Sequence, residues 1–255
     1  NWVSAAAFLP WCTGLLLYTL QQPTLRACIK TGLAFFMLIS SAHPGIIIGS
    51  FYFFFMIVIA FILEKRLTEK KRQVILKTGQ TTAIILIAVI LISLGPIIAY
   101  AEIIQYITRG EKVTFYDVYG TTTLQSWLSL ILPLSSTKNE SFFLSDVSLR
   151  NCYLGSFYFL ILLYSFFTYK CRWQWALIFT AIFFIILSAG AFSNNSFSLP
   201  LIGYVRLSGE FRIFALIALI LYLAIEFERF VQHAKSKLFN RVFLFFLAIL
   251  LFAFF

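Results

Sequence analysis

Residues 44–101 read PGIIIGSFYFFFMIVIAFIL (44–63), EKRLTEKKRQVILK (64–77) and TGQTTAIILIAVILISLGPIIAYA (78–101). Two stretches without a charge flank a connection with six basic and two acidic residues. About 20 apolar helical residues cross the ~30 Å hydrocarbon layer of a bilayer, so each stretch is long enough to span one. The basic connection between them is the pattern of a cytoplasmic loop. Working outward, further apolar stretches occupy 2–20, 27–41, 153–169, 174–191, 208–230 and 242–255. The expectation is an all-α, polytopic membrane bundle of about eight transmembrane helices.

Composition agrees. Of 255 residues, 61% are hydrophobic and 12% charged, with 31 Phe, and the mean hydropathy is +0.91. A water-soluble core has no use for so much apolar surface. The net charge of +10 sits entirely in alternate connections. Arg26, Lys30, Lys65, Arg66, Lys70, Lys71, Arg72, Lys77, Lys170, Arg172, Arg229, Lys235, Lys237 and Arg241 are set there against Glu64, Glu69, Glu226 and Glu228, while the remaining charges cancel. These basic residues flank spans and do not cluster with aromatics on a polar face, which argues against nucleic acid as a partner. Positive-inside asymmetry makes loops 64–77 and 229–241 cytoplasmic and puts Asn1 on the outer side of a multi-pass protein. Residues 1–255 are then a single transmembrane domain whose partner is the lipid bilayer. An Asn start and an apolar end at Phe255 read as a piece of a longer protein. Cys12, Cys28, Cys152 and Cys171 show no CxxC or Cys/His spacing, so neither a disulfide framework nor a metal site is inferred, and no cofactor is assignable.

The outward connection 108–151 exceeds ordinary loop length, which favours a functional role. Within it, LQSWLSLILPL (124–134) is apolar but too short to span and reads as an interfacial or re-entrant segment. Gly95-Pro96 is expected to break and redirect the fourth span.

Three clusters carry candidate chemistry. Glu102, Gln105, Tyr106 and Arg109 share one face of a helix, a polar stripe leading out of the membrane. That stripe is read either as an interfacial helix end or as the wall of an outward cavity. An ionisable group as deep as Glu102 is a functional candidate. Arg206, Glu210 and Arg212 open the seventh span, with Ser208 as its expected N-cap. Arg212 opposes the helix dipole and needs an anion, either a protein carboxylate such as Glu102 or Glu210 or a bound phosphate. His43, in Ser-Ala-His-Pro-Gly, stands at the cap of the helix that Pro44 begins, as a turn residue or as a donor or base in the same cavity. No Ser/His/Asp arrangement, Walker-type loop or HExxH motif is present.

In this order the clusters resemble the YfhO-type bacterial membrane proteins, which belong with the GT-C glycosyltransferases. The resemblance runs through Asn1-Trp-Val, Phe8-Leu-Pro-Trp, Ala42-His-Pro-Gly, Gly95-Pro to Arg109-Gly, 124–133, Tyr153-Leu-Gly, and Leu199-Pro to Arg212-Ile-Phe. Ala42 stands where the family has Gly, and Arg206 and Arg212 are six apart where the family more often has closer arginines. The resemblance implies a bacterial inner-membrane enzyme that moves a sugar from a polyprenyl-phosphate carrier to an acceptor on the outer face. It implies Arg206 and Arg212 at the carrier phosphate, Glu102 and Arg109 along the donor or acceptor cavity, and His43 in support; Gln105, Tyr106 and Glu210 are substrate-binding candidates beside them by their place in the clusters. The acidic catalytic loop of such enzymes would precede Asn1, and any divalent metal would belong to the full-length parent. A transporter or flippase of a lipid-linked or polar solute, and a non-catalytic membrane assembly protein, are the alternative readings.

Overall fold

The computed structural model describes residues 2–65, 71–103, 120–130, 140–145, 149, 151–166, 168–190, 199–202, 205 and 207–233. Among the described residues the regular structure is all helical: α1 (Trp2–Gln21), α2 (Leu25–Ser41), α3 (Pro44–Lys65), α4 (Lys71–Ile103), α5 (Leu124–Leu128), α6 (Glu140–Phe143), α7 (Ser156–Ser165), α8 (Arg172–Ser188), a 3-10 turn (Ser208–Phe211) and α9 (Arg212–His233). The apolar stretch 242–255 lies outside the described residues.

Local sequence sets the element boundaries. Thr24 caps α2 by accepting from the Ala27 N–H at 3.2 Å, and Pro44 opens α3, where its missing N–H removes no helix bond. The α1–α2 hairpin is antiparallel, with the buried hydroxyls of Thr19 and Thr31 bonded across it at 2.8 Å. Helix α4 covers α2, and Gly32 lets it approach: a β-carbon there would lie 2.9 Å from the Ala88 methyl. Helix α3 is the hub, with α1 and α4 on one side and α8, α9 and the 3-10 turn on the other. Helices α8 and α9 are antiparallel, since Ser208 bonds the carbonyl of Ser188 at one end and Glu226 meets Gln174 at the other.

An aromatic cluster joins the hub to that pair. Phe53 of α3, Phe184 of α8 and Phe214 of α9 are all fully buried. Their ring centroids lie 6.0 Å (Phe53–Phe184), 5.6 Å (Phe53–Phe214) and 5.0 Å (Phe184–Phe214) apart, the range in which aromatic pairs add about 0.5–1.5 kcal/mol beyond simple burial. Outside, the polarity is inverted relative to a soluble protein. Phe51, Phe55, Ile59 and Leu63 line one exposed face of α3, and Leu86, Ile87, Ile90, Leu91, Leu94 and Ile98 are exposed on α4. Contiguous apolar faces of this kind mark contact with something other than water. Gly45–Lys65 and Arg72–Pro96 are long and apolar enough to cross a membrane, by length and composition.

Several elements depart from the sequence expectation. The stretch 153–169 yields only the ten residues of α7, about 15 Å of helix. Before it, residues 151–155 are non-helical, with the Tyr153 N–H bonded to the Asn151 side chain and Gly155 at φ 101°. After it, a turn closes with the Thr168 N–H and the Lys170 ammonium both donating to the Ser165 carbonyl. Helix α4 does not break at Gly95-Pro96 but continues to Ile103. Proline deprives one carbonyl of its donor, and the intact turns on either side keep the helix together. The interfacial segment forms α5, capped by Thr123, whose hydroxyl also donates to the Phe143 carbonyl at 2.8 Å. Residues 131–134 of that segment lie outside the described residues.

Gly49 faces Phe214 and Phe211 so closely that a β-carbon would overlap the Phe214 ring, whereas Gly14 and Gly79 have open space. Gly49→Ala is expected to destabilise the protein by about 1–3 kcal/mol through overpacking. Gly14→Ala should be neutral or stabilising by up to about 1 kcal/mol, as for an exposed helix interior. Thermal unfolding of the purified variants in one detergent checks both.

Candidate functional site

The site is built where α3 begins and α9 is about to begin. The His43 carbonyl accepts from the N–H groups of Ile46 (2.9 Å) and Ile47 (3.1 Å), which fixes His43 at the helix boundary. Across from it, the 3-10 turn is closed by the Glu210 N–H on the Leu207 carbonyl at 3.1 Å, and it delivers the Glu210 side chain inward. That side chain is 1% exposed, and the His43 side chain is 33% exposed. His43 Nδ1 lies 3.1 Å from Oε1 and 3.2 Å from Oε2, with the hydrogen bond to Oε2. Burial pushes the Glu210 carboxyl up, against the smaller opposing effects of His43 and Arg212. Oε1 is buried and has no hydrogen-bond partner among the described residues. Gly45 makes the approach possible, because a β-carbon at 45 would collide with the Glu210 carboxylate.

Arg212 places a positive charge in the field of Glu210. It is half-buried, donating from Nη1 to the Gly209 carbonyl at 3.0 Å and from Nε to the Asn151 carbonyl at 3.2 Å. The Ser188 carbonyl gathers the neighbouring segments, accepting from the Thr122 N–H (2.9 Å) and the Ser208 hydroxyl (3.3 Å). Gly209 lies against the Gly120 carbonyl and Leu149. The buried Cys152, next to Asn151, donates from its N–H to the Ser129 hydroxyl oxygen at 2.8 Å. Burial pushes its thiol up to about 11, against the smaller opposing effects of the Arg212 charge and Ser129. Such a group stays a thiol at neutral pH and is no nucleophile.

Of the residues singled out by sequence, the structure therefore brings together His43, Glu210 and Arg212. Glu102 is exposed near the end of α4. Gln105, Tyr106, Arg109 and Arg206 lie outside the described residues. Ser208 is not the N-cap of the α-helix: it opens the 3-10 turn and spends its hydroxyl on Ser188, so that α9 starts at Arg212.

A second polar cluster, at the other end of α9, escaped sequence reasoning. Glu226 is fully buried. Its Oε1 accepts from Gln174 Nε2 and from Arg229 Nη1 (3.3 Å), and its Oε2 from the Thr168 hydroxyl (3.0 Å). Arg229 also donates to the Tyr169 carbonyl (2.7 Å) and to Gln174 Oε1 (3.1 Å). The signal was available: Ala215, Ala218, Tyr222 and Glu226 recur at spacings of three and four, and all lie on the buried stripe of α9.

Removing Glu226 would strand Gln174, Thr168 and Arg229 together. Glu226→Ala is expected to cost about 3–5 kcal/mol, as when one partner of a buried ion pair is deleted. Glu226→Gln, which keeps an acceptor, should lose less, and thermal unfolding in detergent ranks the two. No family model, curated protein or solved structure matches the chain.

Proposed function

We propose that the chain is a polytopic bundle of about eight membrane segments, the short α7 among them, in a bacterial inner membrane, with Asn1 and the 108–151 connection outside. We further propose that its outer end belongs to a GT-C-like site that transfers a sugar from a polyprenyl-phosphate carrier to an acceptor. The observation that carries this reading is the cluster His43–Glu210–Arg212. It is a charged set held partly out of water, at the end of α9 opposite to Glu226 and Arg229. Lys65, Lys170 and Arg172 share the Arg229 end by helix direction, so basic residues mark one end and the cluster the other. The apolar faces of α3 and α4 suit lipid between those two ends.

Chemically, such a transfer needs a fixed cation for the departing phosphate and a group that handles the acceptor proton. Arg212 suits the first role, because its planar fork matches a phosphate. The family resemblance assigns the same end to the carrier.

Orientation is tested with the native cysteines. Cys12, Cys28 and Cys152 are buried, and Cys171 is partly exposed at the N-cap of α8, on the basic end. A membrane-impermeant maleimide should leave intact cells unlabelled at Cys171 and label it once the cytoplasmic face is opened. Labelling from outside would reverse the topology. For the reaction, Arg212→Ala in the full-length protein is expected to lower sugar transfer by about 10²-fold or more, and Arg212→Lys should restore it only in part. Unchanged transfer in Arg212→Ala sinks the phosphate assignment.

A further inference from the structure

We propose that the α7–α8 turn and the exposed face of α8 bind an anionic glycerophospholipid, with its phosphate at Arg172 and Lys170 and one acyl chain laid along α8. This step rests on the membrane reading and is independent of the transferase one. The turn gathers cations from two segments. Lys170 Nζ donates to the carbonyls of Ser165 (2.5 Å) and Thr168 (3.3 Å), and Arg229 Nη1 donates to the Tyr169 carbonyl (2.7 Å). Arg172 follows as the exposed first residue of α8. Glu226, the acid that Arg229 reaches, is fully buried with both oxygens occupied. Glu228 stands about 100° round α9 from Arg229. Neither Lys170 nor Arg172 has a carboxylate partner among the described residues, and the first turn of α8 holds no acid.

Arg172 heads an apolar stripe. Trp175, Phe179, Ile182 and Ile186 follow it at alternating spacings of three and four, so the five residues share one helix face, and all of them are exposed. The other face of α8, with Gln174, Leu177, Ala181, Phe184 and Ser188, is buried, and the helix packs there on α3 and α9. From Trp175 to Ile186 the helix rises about 16 Å. That is close to the ~15 Å of hydrocarbon in one leaflet. The Trp175 and Phe179 rings lie 6.1 Å apart and continue the surface directly below the charge, at the depth where interfacial tryptophans sit.

Charge complementarity and shape select the same occupant. Basic residues at a membrane surface attract anionic headgroups, and the planar fork of an arginine matches a phosphate. An acidic protein would answer the cations alone and leave the stripe bare. A phospholipid answers both, because its phosphate and its acyl chain are joined at the spacing of a headgroup and a leaflet. The hydrogen bonds of Lys170 and Arg229 to backbone carbonyls hold the turn in shape, so the cations are positioned before a lipid arrives.

The test reads lipid contact next to the turn. In the full-length protein in vesicles, a fluorescent maleimide is placed on Cys171, the neighbour of Arg172, since Cys12, Cys28 and Cys152 are buried. Nitroxide-bearing phosphatidylglycerol is expected to quench the dye with about fivefold higher apparent affinity than nitroxide-bearing phosphatidylcholine. Arg172→Gln should remove most of that preference at an unchanged thermal midpoint, because the side chain is exposed. Lys77→Gln, which removes an exposed cation of α4, should leave the preference intact. Native mass spectrometry of the undyed protein should show a retained phosphatidylglycerol that Arg172→Gln loses. Equal quenching by the two lipids, or a preference that survives in Arg172→Gln, overturns the site. Equal losses in Arg172→Gln and Lys77→Gln also overturn it, since they indicate diffuse surface charge. Glycerol phosphate that displaces the lipid at equal concentration overturns the acyl-chain contact. A protein that does not insert into vesicles overturns the membrane reading as well, whereas an inserted protein without lipid preference overturns this step alone.

Discussion

A carboxylate taken out of water must find a positive or hydrogen-bonding partner, and this requirement, met twice along α9, positions the other helices around it. At its far end Glu226 gathers Thr168, Gln174 and Arg229, which ties the α7–α8 turn and the first turn of α8 to α9. At its near end Glu210 faces His43, which ties the α2–α3 turn to the same axis. Buried pairs of this kind contribute little net stability, because desolvation offsets most of the attraction. Their effect is on position: a sliding of α9 by one turn would leave two acidic side chains without partners. The aromatic cluster of Phe53, Phe184 and Phe214 then fills the space between the two anchors.

The near anchor depends on a backbone detail of α3. Gly45 and Gly49 are four residues apart and so share one face of the helix. A β-carbon at the first would displace the Glu210 carboxylate, and at the second the Phe214 ring. The same strip of bare backbone therefore admits the charged pair and, one turn below, the first layer of the core. Packing and site geometry are coupled at this place, and a larger residue at either position disturbs both.

Much of this was written plainly in the sequence. The stretch 44–63 is α3 almost to the residue, because an uninterrupted apolar run bounded by proline and by Glu64-Lys65 leaves a helix few alternatives. The stretch 78–101 lies within α4, whose basic first turns extend the helix beyond its apolar part. Apolarity alone misled at 153–169, where polar turns at Asn151 and Ser165–Thr168 cut the helix to ten residues. His43, Glu210 and Arg212 stood out individually, as charged or titratable groups at the edges of apolar runs. Their meeting was legible only as one alternative, a shared outer cavity, and the pairing of His43 with Glu210 was not, since 167 residues separate the two and no local pattern links them. Glu226 was hidden for another reason. With Glu228 and Arg229 as neighbours it looked like part of a solvated charged loop, although its helical spacing placed it on the buried face.

The two anchors differ in how completely they are held. Both oxygens of Glu226 are occupied, by an amide, a hydroxyl and a guanidinium, and the closed network leaves no room for a ligand. Glu210 makes one hydrogen bond, from Oε2, and its buried Oε1 lies 3.1 Å from the same imidazole nitrogen. A buried acceptor without a donor costs about 1–3 kcal/mol if nothing ever fills it. Glu226 is therefore held by a saturated network, whereas Glu210 is held by one imidazole contact and by the charge of Arg212, so the far anchor resists a shift of α9 more strongly than the near one.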